Sequence, residues 1–388
     1  MEFLQGNYAN SFFFRPVTKI AVETCVRELK NKACSIESLS IRVLKSIINS
    51  ISPIIAELIN LSLINGKFPE NLKNARVIPL SKGGVTINLS DYRPISILPI
   101  FSKLYEKIVY KQLYSYLEHY NILITNQYGF RNNKSTSQAI MNHLQYIYSN
   151  LDNDYSIFSL YLDFRKAFDC VDHNILLSKL NYYGIRGIPL NWFKSYLSNR
   201  HQYTAICDSN SSPKLITHGV PQGSILGPLL FLLFINDLPT CSNFFKFTLF
   251  ADDTTVCTKF HHTDHNFVNL INIDIKKIHS WLVANRISIN IDKTKYIIYS
   301  YRRDIKIGNI RLGNNILKRT DNIKYLGLFL DERLNFSTHV KYISLNYYTS
   351  LLFNHTFLTA LKLGLLPPLT SPTKYSFNRK EPVEQFII

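Results

Sequence analysis

No two cysteines in this chain are spaced as C-x-x-C. The six present, Cys25, Cys34, Cys170, Cys207, Cys241 and Cys257, are scattered. A zinc knuckle or a disulfide scaffold is therefore not expected, and a reducing compartment suits the chain best. Long apolar runs are also missing. The longest, LLFLLFI at Leu229–Ile235, has seven residues and is closed by Pro228 and by Asn236–Asp237. That is too short for a bilayer and points to a buried element. The N-terminus lacks a cationic stretch followed by an apolar one, so no secretory signal is expected. Internal repeats and low-complexity tracts are absent. Acidic residues are scarce beside basic ones, 27 against 44, which leaves a formal charge of +17. Such a surplus suits a polyanionic partner, because lysine and arginine displace counterions from phosphate backbones. What remains is the composition of a folded protein: 388 residues, 46% hydrophobic and 18% charged, enough for two or three subdomains around a sizeable core.

Pattern reading gives mixed helices and strands, an α+β architecture. Helices are expected over Val17–Leu29, Ile41–Leu63, Phe101–Tyr120, Asp172–Tyr183 (with Asp172 as its cap), Pro189–Asn199 and Asn266–Ala284, and in the segment leading to Leu238. Strands are expected at Ala75–Leu80, Ile157–Phe164, Thr294–Ser300 and Ile323–Leu330, and within 201–218. "DYRPISILPI" reads as a turn through two prolines. From about Ser344 the chain becomes apolar without a clear face and then proline-rich, unlike what precedes it.

The stretch KFTLFADDTTVCTKF, Lys246–Phe260, sets Asp252 and Asp253 side by side among strand-forming residues. Adjacent residues of a straight strand face opposite ways, so the two carboxylates cooperate only if they lie in a tight hairpin turn. Asp163, closing the strand "SLYLDF", joins them if the two strands are neighbours. Three such carboxylates without basic partners repel, and a divalent cation with oxygen ligands removes the conflict. The plain alternative is a polar hairpin turn.

Eight stretches in order resemble the polymerase of non-LTR, jockey-like retrotransposons: "NARVIPLSKGG", "DYRPISILPIFSKLYEKIVYKQL", "NQYGFRNNKST", "SLYLDFRKAFDCVDH", "GVPQGSILGPLLFLLFINDLP", "LFADDT", "WLVANRISINIDKTK" and "IKYLGLFLDERLNFSTHV". The resemblance covers roughly residues 68–341. It implies a right-hand fold, with fingers over 68–158 and a palm over 159–341. The palm would be an antiparallel sheet backed by helices, ending in a primer-grip hairpin. A helical extension over 1–67 would precede the fingers, and a divergent tail over 342–388 would follow.

The resemblance also assigns roles. Asp163, Asp252 and Asp253 would be the catalytic metal ligands, with the Phe164 carbonyl as a further oxygen and two Mg²⁺ ions (or Mn²⁺) as cofactor. Lys82 and Arg93 would meet the incoming triphosphate, Phe168 would crowd the sugar 2′ position, and Gln222 would touch the nucleotide. Gly223 and Ser224 would lie against the template base pair. The glycines Gly219, Gly223 and Gly227 would let backbone approach nucleic acid closely, or else form a packing face. Arg131 and Lys134, with Tyr128 and Phe130, would hold template, and Gly327 the primer end. Lys293 would protonate departing pyrophosphate, with Lys295 close enough to share the assignment. The partners implied are an RNA template, a DNA primer or target, and deoxynucleotides, with no membrane. The setting is intracellular, nuclear or cytoplasmic.

Two parts that accompany this core in the family are not evident: an endonuclease ahead of it and a helical thumb after it. "NKACSIESLS" also lacks the glycine-rich step often found there. An inactive fragment that binds RNA is the competing expectation. An RNA-copying RNA polymerase is a third, disfavoured by Phe168 and by Ala251 where those enzymes carry glycine.

Overall fold

The computed structural model describes residues 3–4, 8–30, 39–83, 88–207, 209–302, 305 and 307–345. Most of the divergent tail and of "NKACSIESLS" therefore lies outside the described residues. The chain opens with α1 (Lys19–Glu28) and α2 (Ile41–Asn65), packed together, and continues through β1 (Asn74–Ser81), β2 (Tyr92–Ile97), α3 (Ile100–His119), α4 (Thr136–Leu151) and β3 (Ser156–Leu162). Next come α5 (His173–Tyr182), α6 (Gly187–Leu197), β4 (Arg200–Ile206), β5 (Ser209–Asn210), β6 (Lys214–Ile216), α7 (Leu226–Ile235), β7 (Lys246–Phe250), β8 (Asp253–Phe260) and α8 (Phe267–Ala284). The strands β9 (Lys295–Tyr299), β10 (Arg311–Leu312), β11 (Asn315–Ile316), β12 (Lys318–Arg319), β13 (Asn322–Tyr325) and β14 (Leu328–Asp331) follow, and residues 337–345 are helical.

The central sheet runs β12-β9-β3-β8-β7. Its four main strands are antiparallel, as expected, and the short edge strand β12 adds a parallel pairing. All seven residues of β3 are buried, because α4 and the β13–β14 hairpin cover one face and the large helical core the other. A second sheet, β2-β1-β4 with β5 and β6 added to β4, contains one parallel pair, β1 with β4.

Within the helical core α7 is apolar all round and fully enclosed, as such a helix must be. Its ends need partners that water cannot supply. Glu106, itself buried, accepts from the N–H groups of Ile225 and Leu226 at 2.6 and 3.4 Å. At the other end Lys179 donates to the Phe234 carbonyl and to Asp237, both at 2.5 Å. A carboxylate at the N-terminus and an ammonium at the C-terminus match the helix dipole.

Three elements differ from the pattern reading. Tyr92–Ile97 is a strand, not a turn. Pro94 lies opposite Pro79, at a pair where neither residue needs an N–H for the ladder. Thr136–Leu151, left unassigned by periodicity, is a helix. Ser135 caps it by accepting from Gln138 N–H, and its inner face of Ala139, His143, Ile147 and Leu151 carries a histidine that interrupts the apolar stripe. Ser135 and Gln138 form the S-x-x-Q signature that marks such a helix start. Ile323–Leu330 is a hairpin, turned at Leu326 and Gly327, both at positive φ. By length and composition α2 could also span a bilayer, although no seven-residue run suggests it. It packs instead against α1 and α6.

Candidate active site

The β7–β8 hairpin turns through Ala251 and Asp252, with Phe250 paired to Asp253. Ala251 takes the left-handed φ of +54° that such a turn demands. On β3, Leu162 pairs with Thr254, so one further step of the register sets Asp163 opposite Asp253. Asp163 spends its own backbone groups on the other side. Its N–H donates to Thr294 Oγ1 at 3.2 Å, and its carbonyl accepts from Asn290 N–H at 2.8 Å. The Asp163–Asp253 pair is therefore of the non-hydrogen-bonded kind, in which side chains come closest. Phe164 alternates: its neighbours bond the 288–290 segment. Its own carbonyl faces away from that segment, towards the β8 side of the sheet.

The carboxylates feel one another. Asp253 is pushed up to about 6 by burial, then by Asp252 and Asp163. Asp252 is also raised, first by burial and further by Asp163; its own backbone N–H and the charge of Arg93 pull the other way. Burial and mutual repulsion thus outweigh the available cationic help. An all-oxygen donor set under this strain fits a hard divalent cation, whose charge would remove both penalties.

The other two aspartates of "DFRKAFDCVDH" are used elsewhere. Asp169 accepts from Gln222 Nε2 at 2.8 Å. Asp172 caps α5 as expected and pairs with Arg286 at 2.6 Å. The segments around them are zipped together: Val220 N–H donates to the Phe168 carbonyl at 2.9 Å and Gly219 N–H to Val171 at 2.8 Å. Gln222 reaches β2 as well, its carbonyl accepting from Ser96 N–H at 2.7 Å. One network of backbone bonds therefore joins Arg93 on β2, Gln222 and Phe168. The half-buried Phe168 ring stacks on Phe231 at 4.4 Å and meets Phe130 edge-on at 6.1 Å. Lys82 and Arg93 are exposed at the loop end of the β1–β2 hairpin. Lys293 lies on the exposed turn before Thr294, and Lys295 starts β9 opposite Tyr161.

Several assignments change. Arg131 is engaged within the protein: its guanidinium forks onto Glu118 at 2.8–3.1 Å and donates to the Ile124 carbonyl at 2.7 Å. Lys134 donates to the Thr125 carbonyl at 3.3 Å and sits over the Tyr128 ring. Both pin their own loop. Ser224 is 5% exposed, and its hydroxyl donates to Pro221 O and accepts from Gly227 N–H, so it is not presented to a template. The glycines lie close against neighbouring protein groups, the packing alternative of the sequence reading. A Cβ on Gly219 would lie 2.8 Å from Asp169 Cα, one on Gly223 2.4 Å from Ser96 O, and one on Gly227 2.5 Å from Ser224 Oγ. Gly327 faces open space at the exposed β13–β14 turn. Sequence reasoning missed Thr294, Asn290 and Gln127, which hold the carboxylate-bearing backbone.

An Asp252–Asp253 hairpin tip beside Asp163, with the charge of Arg93 felt at Asp252, makes an acidic edge on the central sheet of an α+β fold. The family model described as reverse transcriptase (RNA-dependent DNA polymerase) matches residues 80–330. The chain belongs to the reverse transcriptase family, on its non-LTR, jockey-like side. It is 29% identical to the probable RNA-directed DNA polymerase from transposon BS of Drosophila melanogaster, over 84% of this chain and 37% of that protein. To the polymerase from mobile element jockey of the same species it is 28% identical, over 87% and 38%. To the probable polymerase from transposon X-element it is 30% identical, over 82% and 35%. The chain thus spans little more than a third of the length of these relatives.

Proposed function

We propose that this chain is an RNA-directed DNA polymerase that adds deoxynucleotides to a primer 3′-hydroxyl on an RNA template. The observation that carries the reading is the register that sets Asp163 opposite Asp253 beside Asp252. The central sheet would act as the palm and the β2-β1-β4 sheet as the fingers. Asp163, Asp252, Asp253 and the Phe164 carbonyl would hold Mg²⁺, two ions by the family pattern, or Mn²⁺. Bound there, the metal would lower the charge on the phosphate and the pKa of the attacking hydroxyl.

The remaining work falls to the chain's own groups. Arg93 and Lys82 draw the triphosphate to the loop end of the fingers hairpin, Arg93 as a fork and Lys82 as a point charge. Gln222, clamped between Asp169 and β2, sets one wall of the nucleotide site. The backed ring of Phe168 occupies the space that a ribose 2′-hydroxyl would need. Lys293 gives a proton to the departing pyrophosphate. Gly327 lies at the tip offered to the primer end.

Purified chain given an RNA template, a DNA primer, Mg²⁺ and deoxynucleotides should extend the primer, and Asp252→Asn should abolish extension. Absence of extension by the wild type would favour an RNA-binding remnant, and preference for ribonucleotides an RNA polymerase.

A further inference from the structure

The segment 126–129, expected to reach for template, instead forms an extra rung against the catalytic hairpin. Leu249 N–H donates to the Asn126 carbonyl at 2.9 Å and Tyr128 N–H to the Leu249 carbonyl at 2.8 Å, a parallel bridge centred on Gln127 and Leu249. The Gln127 side chain then turns inward, 2% exposed. Its Oε1 accepts two backbone N–H groups at once, Gly129 at 2.8 Å and Ala251 at 3.0 Å. Gly129 presses on the same place: a Cβ there would fall 2.3 Å from Ala251 N and 2.9 Å from the Phe250 carbonyl carbon.

Ala251 is the residue that most needs holding. A residue with a Cβ resists a φ of +54° by about 1–2 kcal/mol, and Asp252 follows it directly. Without an acceptor, the buried Ala251 N–H would favour another turn geometry, and the carboxylates would leave their common edge. Gln127 Nε2 has no partner among the described residues, so the hold resides in Oε1.

We propose that Gln127 is a positioning residue of the polymerase site, fixing the Ala251–Asp252 turn so that its carboxylates meet Asp163. The inference rests on the polymerase reading for its kinetic consequence but not for its structural one. Gln127→Met keeps side-chain length and removes the acceptor. In the full chain it should lower the kcat of primer extension by about ten- to a hundredfold, the scale of an ångström-sized misplacement. The KM for deoxynucleotide should stay near the wild-type value, and half-saturating Mg²⁺ should rise. Two readouts do not need activity. Amide exchange measured by mass spectrometry should quicken in the peptide covering 246–255 while β3 and α7 stay protected, and Mn²⁺ binding followed by its paramagnetic resonance should weaken.

If Gln127→Met does not fold, Gly129→Ala pushes on the same amide and must reproduce the kcat loss and the local exchange. Unchanged kcat with unchanged local exchange, or exchange that quickens throughout the molecule, would overturn the proposal. A wild-type chain that fails to extend primers would defeat the polymerase reading alone. Exchange and Mn²⁺ binding would then still decide the role of Gln127.

Discussion

Residue types in this site are less informative than the backbone that carries them. Three aspartates fall within ten residues of one another at 163, 169 and 172, yet only Asp163 meets the hairpin tip. The strand register decides which one does. Phe168 is a ring with a firm back, stacked on Phe231. Phe168→Ala should raise incorporation of ribonucleotides relative to deoxynucleotides by about tenfold or more, a change of about 1.4 kcal/mol in relative barrier; unaltered sugar selectivity would remove the assignment. Arg131 makes the opposite case. With its side chain only 11% exposed and paired to Glu118, it belongs to the protein. Arg131→Ala should lower the melting temperature while leaving unchanged the slope of log affinity for RNA against log salt. A slope reduced by about one would mean that a phosphate contact had been lost.

Elements are tied to the site by buried polar groups whose loss has a sign that can be worked out. His143 on α4 contacts Tyr161 Oη at 2.8 Å, and Tyr161 meets Tyr299 Oη at 2.8 Å, which links α4, β3 and β9. Burial, with help from Lys246, depresses the imidazole from its usual 6.5 to about 3. The unfolded chain therefore binds this proton more readily than the folded one. The stability His143 contributes is complete above pH 6.5 and is lost as pH falls from there towards 3, at about 1.4 kcal/mol per pH unit. Urea unfolding at pH 7 and pH 5 should show this loss in the wild type and a smaller one in His143→Gln. On the same flank of β3, just ahead of β9, Thr294 is fully buried and supplies the acceptor for Asp163 N–H. Thr294→Val should cost about 1–3 kcal/mol for the stranded amide and reduce extension; Thr294→Ser, which keeps the hydroxyl, should recover most of both.

At the scale of the molecule, the formal charge of +17 is spread over a chain whose proposed catalytic centre is itself acidic. Attraction to a polyanion must therefore come from the surroundings of the centre, not from the centre. If the bound duplex contacts six to ten phosphates, affinity should fall by about 10³ to 10⁵ between 50 and 200 mM salt. Equilibrium titrations across that range would show it, and a flat response would exclude a backbone-dominated interface. Lys179 with Asp237 lies inside the core, where bulk salt screens little.

The linear order of residues was enough to establish the α+β class and the family and to propose the three carboxylates, because alternating strands, a paired aspartate in a hairpin and a strand-ending aspartate are local patterns. It also determined most helices, from an apolar face or, for α7, from an unbroken apolar run. It did not reveal β2, where opposed prolines mimic a turn, nor α4, where His143 sits in the buried stripe. Tertiary structure alone decided that Arg131, Lys134 and Ser224 bond within the protein, that the glycines make room for neighbouring protein groups, and that Gln127 reaches the Ala251–Asp252 turn. The reason is physical: a side chain's partner is whatever folds against it, three residues away for Ser224 and more than a hundred for Gln127, and sequence spacing does not say which.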